Sequence, residues 1–64
     1  MNPKTVYQLT PINPDVKLWI LENVEQHDWN WLGQSLIVEH RYLPLILTGL
    51  QGEGFRPDLD FKVS

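Results

Sequence analysis

Apolar positions in this 64-residue chain recur with two different periods, and the switches between them mark out six elements. Residues 5–10 (TVYQLT) alternate loosely and are rich in β-formers. They predict a first strand, stopped by Pro11, which has no N–H to give to a ladder. Asn13-Pro14-Asp15 then reads as a helix start. Asn13 suits the N-cap, proline the first helical position, and the acid the positive end of the helix dipole. The helix is expected over residues 14–26. At about 100° per residue, Val16, Ile20, Leu21 and Val24 share one face, with Lys17 inside the stripe, its stem covered and its ammonium reaching water. Leu18 and Trp19 fall outside that stripe, among Glu22, Asn23, Glu25 and Gln26.

Residues 28–39 (DWNWLGQSLIVE) read as a tight hairpin, because two β-prone runs flank Gly33-Gln34 and a glycine at the first central position suits a type II′ turn. That turn sets Leu32 against Ser35, Trp31 against Leu36, Asn30 against Ile37, Trp29 against Val38 and Asp28 against Glu39. Opposed residues share a sheet face, so Trp29, Trp31, Leu36 and Val38 gather on one side. Asp28, Asn30, Ser35 and Glu39 gather on the other, with Leu32 and Ile37 among them. A slip of one residue would undo this sorting. The two hairpin tryptophans are therefore expected in the core.

Residues 41–53 read as a second helix, with Pro44 tolerated in the first turn and Gly52 or Gly54 supplying the left-handed stop. Tyr42, Leu43, Leu45, Ile46, Leu47 and Leu50 cover a wide arc of it, which predicts a largely buried core helix. After a turn at residues 55–58, residues 59–63 (LDFKV) alternate with Leu59, Phe61 and Val63 inward. The order strand–helix–strand–strand–helix–strand predicts a single α+β domain over residues 1–64. The expected form is a ferredoxin-like βαββαβ sandwich, with both helices on one face of an antiparallel sheet, the first and last strands central and the hairpin at an edge. The alternative keeps residues 29–39 as one long strand or a helix, which leaves a three-stranded βαβαβ variant or a mostly helical bundle.

Composition narrows the function. A chain this short buries only about 60% of the surface it exposes when unfolded, so self-association is a plausible extra source of stability. With no cysteine there is neither a disulfide nor a thiolate metal site. The five basic residues Lys4, Lys17, Arg41, Arg56 and Lys62 are scattered in a chain of net charge −3, which argues against a nucleic-acid partner. No apolar run approaches the roughly 20 residues that span a bilayer, and MNPKTVYQLT holds no apolar signal-peptide segment. A cytoplasmic protein with no membrane partner is expected.

Candidate chemistry is sparse. His27-Asp28 and His40 with Glu39 approach one another across the proposed hairpin, but no metal or acid–base motif has their spacing, and they are read as solvated residues at a strand end. Gly49-Leu50-Gln51-Gly52 is better explained as a helix end than as a nucleotide-binding loop. No catalytic, cofactor or metal residue is assigned, and an enzyme is not expected. The expectation is a non-enzymatic protein-interaction or regulatory module, a homodimer in its simplest form. Its contacts are Leu18 and Trp19, tryptophan being frequent at interface hot spots, together with Asp28, Asn30, Leu32 and Ile37 on the outer hairpin face. The alternative is a small-ligand sensor with a pocket between helices and sheet lined by Trp29, Trp31 and Tyr42. Nucleic-acid binding is the weaker alternative.

Overall fold

A computed structural model of the chain describes residues 5–25 and 30–64. The elements follow in the order β1 (Val6–Pro11), α1 (Pro14–Asn23), β2 (Trp31–Leu32), β3 (Ser35–Glu39), α2 (Leu43–Gly52) and β4 (Phe61–Val63). Their local causes are those written in the sequence. Asn13 caps α1, its side chain accepting a hydrogen bond from the Asp15 N–H at 3.0 Å. Gly33 takes φ +61° in the β2–β3 turn. Gly54, at φ +93°, closes α2: its N–H donates to the Gln51 carbonyl at 3.0 Å, and the Phe55 N–H to the Leu50 carbonyl at 3.1 Å. This pair of bonds is the Schellman closure, and Phe55 packs on the core beside Leu50 as that motif favours.

The four strands form one antiparallel, open sheet in the order β2-β3-β1-β4. The hairpin register is the one the turn predicts, Trp31 opposite Leu36 and Leu32 opposite Ser35. The β2–β3 ladder begins at Trp31, so the expected pair Asn30–Ile37 is not part of it, and the expected pairs Trp29–Val38 and Asp28–Glu39 rest on residues outside the described ones. The expectation that the first and last strands are central is corrected: β1 and β3 are central, and β4 is an edge. The hairpin keeps β3 beside β2, β1 takes the free side of β3, and only the far side of β1 is left for β4. Each helical connection therefore crosses over one strand. β3 begins at Ser35, so no strand residue faces Pro11 on that side, and the missing N–H of Pro11 leaves no gap in the ladder.

Tyr7 pairs with Val38, Leu9 with Leu36 and Pro11 with Phe61, so these residues share a face. Every buried strand residue lies on it: Leu9, Leu36, Val38 and Phe61. They form one cluster with Val16 and Ile20 of α1 and Leu43, Ile46 and Leu50 of α2, so both helices cover that side of the sheet. Trp31 lies on the same face, packed against the cluster, with the Lys17 ammonium 5.3 Å from its ring centroid. Lys17 itself is exposed, and its ammonium lies over an aromatic face.

Several expectations change. The buried arc of α2 is narrower than expected: Leu43, Ile46 and Leu50 are buried, whereas Tyr42 and Leu45 are 56% and 73% exposed. Helix α1 ends at Asn23, short of Gln26, where the Asn23 side-chain amide donates to the Trp19 carbonyl at 2.9 Å and Val24 turns extended. Leu21 is not on the buried stripe but 51% exposed, and Trp19 takes the inward place beside Val16 and Ile20. Leu59 is not an inward strand residue but 60% exposed in a turn, because Asp60 holds residues 56–60 in a loop. The Asp60 carboxylate accepts hydrogen bonds from the Arg56 N–H at 2.7 Å and the Asn13 side-chain amide at 3.2 Å. Its carbonyl accepts from the N–H groups of Ile12 and Asn13 at 2.8 and 2.9 Å. Asp60 thereby ties the entry of β4 to the loop between β1 and α1.

Candidate interaction surface

With both helices on one side, no element among the described residues covers the opposite face of the sheet. Alternation decides what it presents. On β1 the outward residues are Val6, Gln8 and Thr10; on β3 they are Ser35, Ile37 and Glu39; β2 adds Leu32 and β4 adds Lys62. Three of these are apolar. Leu32 is 62% and Val6 47% exposed, and Ile37 is half-buried between its neighbours. The polar residues among them are partly matched to each other. The hydroxyls of Thr10 and Ser35 hydrogen-bond across the strands at 2.6 Å. The Arg41 Nε donates to Glu39 Oε1 at 2.6 Å, and this hydrogen bond, followed by the charge of Glu39, raises the Arg41 pKa above its ordinary value. A shallow depression of about 330 Å³ lies among Val6, Gln8, Ile37 and Ser64.

The register fixes how these groups are arranged. Glu39 stands opposite Val6, two residues from Gln8 and one strand towards β2. Lys62 stands opposite Thr10, two residues from Gln8 in the other direction and one strand towards β4. Gln8 is thus the midpoint of a diagonal with an acid at one end and a base at the other.

The residues expected to form a single contact surface separate into two. Leu32 and Ile37 lie on the open sheet face. Leu18, 56% exposed, lies on the solvent side of α1, across the molecule from them. Trp19 is half-buried, its ring packed against α2 at Gly49 over the rim of the core. Asn30, half-buried, precedes β2 at the lip of a cleft, and Asp28 lies outside the described residues. The outward residues of β1 and β4 were not singled out from the sequence. Their parity was readable from Leu9 and Phe61, but not which strands they would adjoin.

The cleft, of about 900 Å³, opens between the ends of the helices and the part of β3 beyond its pairs with β2, Trp31 with Leu36 and Leu32 with Ser35. Trp19, Leu36, Val38, Tyr42 and Leu45 line it; Trp31 does not, and Trp29 lies outside the described residues. A ligand site needs a few polar groups converging on its interior. Here the Asn23 amide is turned to the Trp19 carbonyl, Glu39 to Arg41, and the His40 ring to the Thr5 carbonyl at 3.3 Å. Among the described residues no group of three His, Asp or Glu residues is placed to hold a metal ion, and none of the buried side chains is polar or charged. His27 lies outside them. No helix among the described residues is long and apolar enough to cross a membrane.

No protein-family model, curated protein or solved structure matches this chain.

Proposed function

We propose that this chain is a non-enzymatic protein-interaction module of ferredoxin-like form, acting through the open face of its sheet. The element order and the interleaved strand order, with each helical connection crossing one strand, support the ferredoxin-like assignment. The interaction reading rests on one observation: Val6, Ile37 and Leu32 occupy outward positions where a solvent-facing antiparallel sheet ordinarily alternates to polar residues. The hydroxyl pair Thr10–Ser35 and the Glu39–Arg41 pair add to it, because polar groups already partnered lose less on being covered.

Radical footprinting of the purified chain tests this reading by comparing dilute buffer with cell extract and with millimolar chain. Labelling at Val6, Leu32 and Ile37 should fall in the extract or at millimolar concentration while Leu18 and Leu21 remain labelled. Equal labelling in every condition, or protection confined to the outer side of α1, would sink it.

A further inference from the structure

Resting on that reading, we infer that the open sheet face binds a second copy of this chain, face to face about a two-fold axis passing close to Gln8. In such an interface each residue on the axis meets itself, and residues on either side exchange partners reciprocally. The pattern of this face satisfies both demands. Gln8 sits at the centre, and a carboxamide carries both donor and acceptor, so each copy can donate one hydrogen bond to the other and accept one in return. A charged residue at that point would repel its own copy. Off the axis, Glu39 and Lys62 lie on opposite sides of Gln8 at matched steps of register. From ordinary strand spacing and rise each is about 8 Å from the centre. A two-fold rotation about an in-plane axis perpendicular to that diagonal brings Glu39 of each chain onto Lys62 of the other. Both Arg41 contacts fall on Glu39 Oε1, so Oε2 can accept from the incoming ammonium. Val6 and Ile37, next to Gln8, are covered by the same rotation.

The size of the face sets the strength. Strands of six, two, five and three residues, at about 4.8 Å by 3.4 Å per residue, give a flat footprint of roughly 260 Å². That is well short of the about 800 Å² per partner of a standard stable interface, so the dimer belongs to the weak, concentration-dependent class.

Sedimentation velocity on the full chain, from low micromolar to millimolar concentration, decides the matter. The wild type should pass from monomer to dimer in that range. Lys62→Glu and Glu39→Lys should each weaken association by about tenfold or more, since each variant opposes like charges twice per dimer. Their equimolar mixture should recover wild-type association. One variant then carries acids at both ends of the diagonal and the other carries bases at both, so each contact between them again joins opposite charges. Gln8→Lys should be monomeric, with unchanged circular dichroism in every variant. A wild type that stays monomeric at millimolar concentration overturns the second copy as the partner, and the footprinting experiment then judges the interaction surface by itself. Dimerisation unaffected by these substitutions places the contact elsewhere and overturns the proposal. Separate weakening without recovery in the mixture overturns the reciprocal pairing.

Discussion

The ring of Trp19 occupies the space that a side chain at residue 49 would need. A Cβ built on Gly49 would lie 2.6 Å from Trp19 Cη2 and 2.7 Å from Cζ2. The packing of the Trp19 ring against α2 therefore depends on a residue without a side chain, and the ring fills the groove that residue leaves.

The first prediction concerns the sign of one substitution in two backgrounds. Gly49→Ala should gain about 1 kcal/mol of helix propensity and lose more by displacing the Trp19 ring, overpacking losses being typically about 1–3 kcal/mol. The net effect expected is a modest destabilisation. In a Trp19→Ala background the obstruction is gone, and the same substitution should stabilise by about 1 kcal/mol. Urea denaturation of the four chains checks this as a double-mutant cycle. The same sign in both backgrounds would mean that the ring does not rest on Gly49. Trp19→Ala alone should destabilise the fold, which separates packing from a role in binding.

This relationship also shows where the sequence was readable and where it was not. In α1, Val16, Leu18, Trp19, Ile20, Leu21 and Val24 leave little of the helix circumference polar, so no unique buried face follows from periodicity. The choice of Trp19 over Leu21 is made by Gly49, 30 positions away, and no local pattern carries it. The ends of elements were readable because their causes are local: the Asn13 cap, the Gly33 turn and the Gly54 closure. The hairpin register was readable for the same reason. The place of β4 was not, because alternation tells which face a residue takes but not which free edge its strand will find. The candidate surface shared that fate. Leu32 and Ile37 were visible within the hairpin, whereas Gln8 and Lys62 join them only through the pairings of β1 with β3 and β4.

Two residues near the start of β4 should behave in opposite ways. Phe61 is fully buried, and Phe61→Ala should remove about 3–5 kcal/mol. That is comparable with the whole stability of a domain this size, about 3–10 kcal/mol, so the variant should be largely unfolded at room temperature. Leu59→Ala, two positions earlier in an exposed turn, should change stability by no more than about 0.5 kcal/mol. Thermal unfolding followed by circular dichroism distinguishes them. A large loss at Leu59 would restore the continuous strand that alternation alone suggests.

Asp60 gives the fold an acid limb. Its pKa is lowered from the ordinary 3.8, first by the hydrogen bond from the Arg56 N–H and then by the Asn13 amide. Both bonds favour the carboxylate, so the folded state releases this proton more readily than the unfolded chain. The stabilisation is fully present above the unfolded value near 3.8 and is lost as the pH falls through the lower folded value. Asp60→Asn should therefore be less stable than the wild type at pH 7, and the gap should close on acidification below about pH 4. Urea midpoints measured from pH 7 to pH 2 follow this directly. A gap independent of pH would show that the carboxylate charge has no part in holding the loop.

The turn that sets the hairpin register can be probed by handedness. Gly33 has φ +61°, and a Cβ added there would meet nothing within 4 Å, so any penalty of substitution lies in the backbone alone. An L-residue forced into this region loses about 1–2 kcal/mol, partly offset by about 0.4–1 kcal/mol from the reduced freedom of the unfolded chain. Gly33→Ala should thus lower stability by about 1 kcal/mol. A chemically synthesised chain with D-alanine at position 33 prefers positive φ and should instead be more stable than the wild type, by up to about 1 kcal/mol. Both should leave the denaturant slope unchanged, since neither alters the surface exposed on unfolding. Equal effects of the two enantiomers would mean that the turn does not hold Gly33 at positive φ. The register pairing Trp31 with Leu36 would then need another cause.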